Sequence, residues 1–252
     1  ATITVIPSFE NGGVSCVGDS VVFTLIVNPT PSVDSSIDQI ICSGTTSDTV
    51  QFTSSFGVVG TSFNWTNDNT TIGLSASSGS GNIGSFIGLN VGNAVESSEI
   101  VVTPTFTNSG VACVWLSDTF TISINPIPVV VVPLDQVVCN NSQTADVLFS
   151  SLTAGTTFTW ENSNTAIGLT STGNGDILSF TATNTTNSPI VATIAVMPSF
   201  ENGGVSCDGD TVSFTLTVNP TPSVDSSIDQ IICSGTTSDT VQFTSSFGVV
   251  GT

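Results

Sequence analysis

Thiols and carboxylates are the side chains through which this chain of 252 residues could bind a metal or catalyse a reaction. It has 19 Asp and Glu but no Lys, Arg, His or Tyr. The resulting formal charge is −19. Without cations the chain cannot neutralise phosphates, which excludes nucleic-acid binding and polybasic attachment to a membrane surface. A general base or nucleophile would have to be a carboxylate, hydroxyl or thiol, and no Gly-x-Ser-x-Gly or paired-acid motif stands out. We therefore predict a noncatalytic protein.

The six cysteines recur at regular places along the chain, at Cys16, Cys42, Cys113, Cys139, Cys207 and Cys233. No CxxC or CxC motif and no histidine accompanies them, which argues against zinc binding and redox catalysis. Two interpretations remain, namely disulfide bonds and free buried thiols.

The carboxylates offer a weaker candidate for a metal site. Calcium takes six to eight oxygen ligands from converging loops, and the chain has no Asp-x-Asp-x-Asp-Gly pattern. The densest polar cluster supplies the calcium candidates Asn67, Asp68 and Asn69. The favoured alternative is that they are turn and solubility residues. We thus predict no cofactor, with calcium as the alternative.

A repeat organises the chain. Residues 1–61 match residues 192–252 at 55 of 61 positions. A weaker repeat recurs at about half the separation of those two copies. It is marked by Pro29-Thr-Pro31, Pro126-Ile-Pro128 and Pro220-Thr-Pro222, each followed by Asp-Gln and a cysteine. We predict complete modules at 29–125, called the first repeat, and 126–219, called the second repeat. Residues 1–28 would then end a preceding module and 220–252 begin a following one, as in an excerpt from a longer array.

Each repeat has the pattern of a β-sandwich. Short alternating runs of Val, Ile, Thr and Phe lie between turns of Gly, Asn, Ser and Asp. The aromatic pairs Phe63 with Trp65 and Phe158 with Trp160 each share one strand face, which we expect to point into the core. Seven strands in about 95 residues fit an all-β, immunoglobulin-like sandwich. In the second repeat we place them at 134–138, 146–151, 156–161, 166–171, 176–182, 190–196 and 211–218.

Period-two apolar stripes mark the last strand of each copy. They are Phe23, Leu25 and Val27; Phe120, Ile122 and Ile124; and Phe214, Leu216 and Val218. We expect each stripe to face a core. The longest apolar stretch, 127–134, is broken by Pro128 and Pro133 and is far shorter than the roughly 20 residues that cross a bilayer. We therefore predict no membrane insertion.

The recurring motifs resemble PKD-like repeats of giant Bacteroidota cell-surface proteins, closest to adhesins of the SprB gliding type. They are the boundary Asn-Pro-x-Pro, Asp-Gln-Ile-Ile-Cys or Asp-Gln-Val-Val-Cys, Phe-x-Trp, Ile-Gly-Leu, Asn-Gly-Gly-Val-Ser-Cys and Phe-Thr-Leu-x-Val-Asn-Pro. The resemblance covers essentially the whole chain. It implies secretion, display outside the outer membrane, a filament-like stalk used in adhesion and gliding, and an anchoring or motility machinery as partner.

Strand geometry selects a disulfide pairing. If strands alternate direction, Cys42 and Cys113 lie at opposite poles of one module, about 25 Å apart, whereas a disulfide needs Cα atoms within about 7 Å. The exit pole of one module meets the entry pole of the next, so we predict a bond between modules, Cys42 to Cys207. The remaining cysteines, Cys16, Cys113, Cys139 and Cys233, would pair with modules outside this sequence.

Two further features carry functional alternatives. Trp115 replaces the glycine of the other copies, Gly18 and Gly209, and is a candidate contact for polysaccharide or a solid substrate; its alternative is packing on the adjacent module. Asp-Ser-Val and Asp-Thr-Val resemble an O-glycosylation signal that Bacteroidota use on exported proteins, with acceptors Ser20, Thr49, Thr211 and Thr240. The favoured explanation of these matches is a turn Asp before a β-branched strand start. The functional alternative to a stalk is a secreted or surface polysaccharide-binding array.

Overall fold

A computed structural model describes residues 1–245 of the chain. The described chain folds into two compact units, the first of Ala1–Gln39, Thr46–Phe86 and Ser97–Ile122 and the second of Ile40–Thr45, Ile87–Glu96 and the described residues from Ser123 on. The strands are β1 Thr2–Val5, β2 Ser8–Asn11, β3 Val14–Val17, β4 Val21–Thr24, β5 Gln39–Cys42, β6 Thr61–Asn67, β7 Ser78–Ser80, β8 Glu96–Asn108, β9 Val111–Val114, β10 Asp118–Asn125, β11 Gln136–Cys139, β12 Thr157–Asn162, β13 Thr172–Asn174, β14 Ile190–Asn202, β15 Val205–Asp208 and β16 Val212–Asn219.

The second unit contains a sheet ordered β11-β16-β14-β12-β13, with β15 paired to β14. Its β11 runs parallel to β16, and the other neighbours are antiparallel. A facing layer is held by single bridges, Val130 to Ser151, Gln143 to Thr181 and Val147 to Ile177. Side chains from both layers meet in one apolar core, which includes Trp160, Ile177, Ile194 and Phe214. The repeats are therefore tandem immunoglobulin-like β-sandwiches, as the alternating pattern predicted.

The first repeat shows the same strand order, β5-β10-β8-β6-β7, with β9 on β8. Within the first unit, β6 pairs with β7 and β8 in antiparallel register, and a bridge joins Val50 to Ile83. The apolar side chains of this unit that are buried include Val50, Phe52, Trp65, Ile72, Ile83, Ile100, Val102, Phe120 and Ile122. Both tryptophans of the Phe-x-Trp motifs are thus in cores, as predicted.

Residues 1–28 form two hairpin-like pairs, β1 with β4 and β2 with β3. The expectation that Phe23, Leu25 and Val27 face a core is wrong, because these side chains are 50%, 53% and 86% exposed. Within residues 1–245, the only strand beside β4 is β1, so no second sheet layer covers the stripe as it covers Phe214, Leu216 and Val218.

The strand prediction for the second repeat is correct at β11, β12, β14 and β16 and wrong at 166–171. There the chain forms a short 3-10 helix, Thr165–Ile167, because the Asn164 side chain caps it and Gly168 ends it in a left-handed conformation. The runs 146–151 and 176–182 contribute single bridges rather than regular strands. Strand β14 also continues six residues beyond the predicted end at Val196, to Asn202.

The predicted module boundaries at residues 29, 126 and 220 remain predictions, and residues 246–252 lie outside the described part of the chain. Across residues 1–245, no helix has both the length and the apolar character of a membrane span.

Candidate functional site

The candidate site is a disulfide-linked contact between a hairpin and the end of a strand. The hairpin is formed by β14 and β15. Its turn residues Gly203 and Gly204 have φ values of 60° and 79°, which match the two left-handed positions of a type I′ turn. The pairing places Phe200 opposite Cys207 and Asn202 opposite Val205. The register leaves Cys207 1% exposed near the tip of the hairpin.

The other half is the end of β5. Cys42, its last residue, is joined to Cys207 by a disulfide, with Cα atoms 5.6 Å apart. This is the bond that strand geometry predicted between the first and second repeats. It closes a loop of 165 residues, so it links parts of the sequence that no local contact would hold together.

An asparagine pair supports the same contact. Asn125 is fully buried at the end of β10, and its Nδ2 donates to the carbonyl oxygens of Asn202 and Val205, both at 3.3 Å. Asn202 Nδ2 in turn donates a hydrogen bond to Asn125 Oδ1 at 3.0 Å. The amides thus satisfy each other and the backbone of the hairpin turn, which stabilises a buried polar contact. The backbone of Asn125 also accepts from the Ser43 N–H at 2.9 Å, one residue from the disulfide.

The first unit contains an equivalent asparagine contact. Asn108 Nδ2 donates to Asn28 Oδ1 at 2.8 Å. Asn28 precedes a boundary proline as Asn125 does, and Asn108 precedes a hairpin turn as Asn202 does. The junction chemistry therefore occurs twice in the described chain. These amides were not among the predicted site residues, although the repeated Asn-Pro and Asn-Gly-Gly motifs were visible signals.

The remaining cysteines correspond to the two halves of the disulfide. Cys16 and Cys113 occupy hairpin strands like Cys207, whereas Cys139 and Cys233 follow the Asp-Gln motif like Cys42. All four are free thiols in this structure; Cys113 is half-buried and the others are exposed. Their pairing with modules beyond this sequence stays a prediction.

The calcium candidates are already engaged in internal hydrogen bonds. Asp68 Oδ1 accepts from the Glu99 N–H at 2.8 Å and from the Ser98 hydroxyl at 3.0 Å. Asn67 is buried and donates through Nδ2 to the carbonyls of Leu74 and Ala76, while Asn69 caps the 3-10 helix Thr70–Ile72. A calcium ion would have to compete with these bonds, and its binding here stays a prediction. Within residues 1–245, no group of three Cys, Asp or Glu side chains converges as a metal site.

Trp115 lies just after β9 and is 54% exposed, beside Leu116, which is 75% exposed. Gly209, its counterpart in the second repeat, has no room for a side chain, because an ideal Cβ there would lie 1.8 Å from the Pro128 carbonyl oxygen. The tryptophan is therefore an exposed aromatic that only the first repeat presents. The candidate glycosylation residues Ser20, Thr49, Thr211 and Thr240 are all exposed, and their modification stays a prediction.

One carboxylate has a perturbed acidity. Hydrogen bonds from the Ser55 hydroxyl, the Thr53 hydroxyl and the Ser55 N–H lower the pKa of Asp34. The Thr53 and Ser55 N–H bonds measure 2.7 and 2.8 Å. Because these donors favour the charged form, Asp34 stabilises the folded state above its ordinary pKa and loses that contribution as pH falls through the lowered value. It holds a surface turn near the start of the first repeat.

Comparisons with known proteins found no matching protein family and no matching curated protein. Among solved structures, the chain is similar to mouse cadherin-23 EC22-24, at 12% identity over 87% of this chain and 74% of that one, with a TM-score of 0.39. It is also similar to human CDH23 EC21-23, at 12% identity over 82% and 83% of the chains and a TM-score of 0.38. The insect immune protein hemolin matches at 12% identity and a TM-score of 0.34 over 86% of this chain, which spans 56% of the hemolin chain.

Proposed function

We propose that this chain is a noncatalytic structural segment of a long extracellular adhesin filament, displayed at the cell surface and attached to the outer membrane. Its role is surface adhesion and gliding motility, in the manner of SprB-type adhesins. The direct partners are neighbouring modules of the same chain, and an anchoring or motility machinery holds the filament. The observation that supports this proposal best is the covalent link from Cys42 to Cys207, because such a bond resists separation of successive repeats under load.

The repeated asparagine contacts support the same proposal. A stalk needs one junction design used many times, and the pairs of Asn28 with Asn108 and Asn125 with Asn202 have that character. The charge of −19 without any Lys or Arg adds self-repulsion, which favours an extended array until salt screens charges separated by more than about 8 Å.

Immunogold electron microscopy of intact source cells tests the location and form. An antibody raised against residues 29–219 is expected to label surface fibres along their length, at intervals set by the repeat. Label confined to the medium or the periplasm would contradict the filament and favour a secreted binding protein.

The second candidate function is a polysaccharide-binding array, favoured by the exposure of Trp115. Tryptophan emission of the chain distinguishes the two, with Trp115→Gly as the matched control because the other copies carry glycine there. The stalk proposal expects the same emission with and without added polysaccharide in both proteins. A shift in the parent chain that disappears in Trp115→Gly would show that the array also binds sugar.

A further inference from the structure

The side chain of Ile40 contacts the tip of the hairpin that docks on β5. An ideal Cβ placed on Gly203 would lie 2.2 Å from Ile40 Cδ1 and 3.5 Å from Ile40 Cγ1. No side chain fits at position 203 while Ile40 keeps its rotamer. The next residue differs, because a Cβ on Gly204 has nothing within 4 Å. Only one of the two turn positions is thus restricted by the docking partner.

The two repeat types differ at both of these positions. The first repeat has Ser109 where the second has Gly203, and the second repeat has Val137 where the first has Ile40. Valine lacks the Cδ1 atom that would clash. Ser109 has φ 49°, close to the 60° of Gly203, so the turn itself accepts serine. Within each repeat the larger hairpin residue thus occurs with the larger strand residue, so the residue complementary in size belongs to the other repeat type.

The order of the repeats brings these residues together in the right combination. In the observed junction, a first-repeat strand with Ile40 receives a second-repeat hairpin with Gly203. Residues 220–252 match 29–61, so the second repeat is followed by the start of a repeat of the first type. The hairpin of the first type carries Ser109. A strand with Val137 would then receive a hairpin with serine.

We propose that Ile40 with Gly203, and Val137 with Ser109, are matched pairs that decide which repeat docks on which. An isoleucine strand accepts a glycine hairpin, whereas a serine hairpin would force the Ile40 side chain out of its rotamer. Docking of a first-type repeat on another first-type repeat is therefore disfavoured, within one chain or between two copies. Near-identical tandem modules are prone to such misassembly, and a clash against the wrong partner is an effective source of specificity.

The same rule assigns a partner to the exposed hairpin of β2 and β3. It carries Gly12 and Gly13 with φ values of 60° and 78°, and its Cys16 is a free thiol. The rule therefore predicts that its docking partner is a strand with isoleucine two residues before the cysteine. This inference concerns assembly and does not depend on an adhesive role.

The test uses the full chain with Cys16, Cys113, Cys139 and Cys233 changed to serine, so that Cys42 and Cys207 alone can react. Glutathione buffers set the redox poise: oxidised glutathione takes two electrons and two protons from the two thiols and becomes two reduced glutathione molecules, while the S–S bond forms. Alkylation and intact-mass measurement then give the equilibrium constant of the disulfide. Four variants are compared, namely Gly203→Ser, Gly204→Ser, Ile40→Val and the double variant Gly203→Ser with Ile40→Val.

The equilibrium constant of the disulfide is expected to be at least about tenfold lower in Gly203→Ser than in Gly204→Ser. Both variants add serine at positive φ, but only position 203 contacts Ile40. Ile40→Val alone should change the equilibrium constant by about threefold or less. When Ile40→Val is combined with Gly203→Ser, it should raise the equilibrium constant about tenfold above that of Gly203→Ser alone, which is the coupling expected of residues in contact. Effects that simply multiply would overturn the proposal. Loss of the Trp160 core emission in both Gly203→Ser and the double variant Gly203→Ser with Ile40→Val would also overturn it.

Discussion

Replacing both Cys42 and Cys207 by serine is expected to lower the free energy of unfolding of the second unit by about 2–4 kcal/mol. The disulfide closes a loop of 165 residues, and a cross-link over so long a loop removes much conformational entropy from the unfolded chain. Hydrogen exchange read by mass spectrometry across β14 and β16 measures the change. Both cysteines are replaced together because a single substitution would leave a reactive thiol at the junction.

Two variants serve as matched controls for the disulfide. Cys139→Ser removes a cysteine that corresponds to Cys42, and Cys113→Ser removes one that corresponds to Cys207. Both residues are free thiols in this chain, so each substitution should change stability by less than about 0.5 kcal/mol. Equal protection of β14 in the parent and in the double serine variant would show that the disulfide does not stabilise the second unit.

The elements that the sequence predicts best are those with a clear period of two. The alternation of Phe158 and Trp160 fixed which face of β12 is buried, and the register of Phe214, Leu216 and Val218 did the same for β16. The Cys42 to Cys207 bond was also predictable, because strand length and disulfide reach leave few pairings in a tandem array. These inferences depend on one strong regularity each.

The errors arise where a local polar contact decides the backbone. Asn164 accepts a hydrogen bond from the Ala166 N–H at 3.1 Å, which turns a β-rich segment into a 3-10 helix. The hairpin strand β15 was missed because its four residues have no long alternating run. The role of Asn125 follows only from three-dimensional contact, since its partner Asn202 is 77 residues away.

The second large effect is expected at Gly79, which lies opposite Trp65 in the β6–β7 pair. An ideal Cβ at Gly79 would lie 2.3 Å from Trp65 Cζ2 and 2.6 Å from Cε2, so Gly79→Ala must displace a buried indole. Displacement would also disturb the hydrogen bond from Trp65 Nε1 to the Gly81 carbonyl, 3.1 Å long. Overpacking of this kind costs about 1–3 kcal/mol, and we expect the upper part of that range. Thermal or urea unfolding followed by circular dichroism measures it.

Gly84→Ala is the matched control, since it makes the same change in the same unit. A Cβ there meets nothing within 4 Å, and Gly84 does not have a positive φ, so alanine should be neutral or stabilise by about 0.4–1 kcal/mol through the unfolded chain. The second repeat provides a replicate, because a Cβ on Gly173 would lie 2.1 Å from Trp160 Cζ2. Gly79→Ala and Gly173→Ala should therefore both destabilise while Gly84→Ala does not. If all three behaved alike, glycine would be needed for backbone freedom rather than for the tryptophan, and the close packing of indole on glycine would not explain these positions.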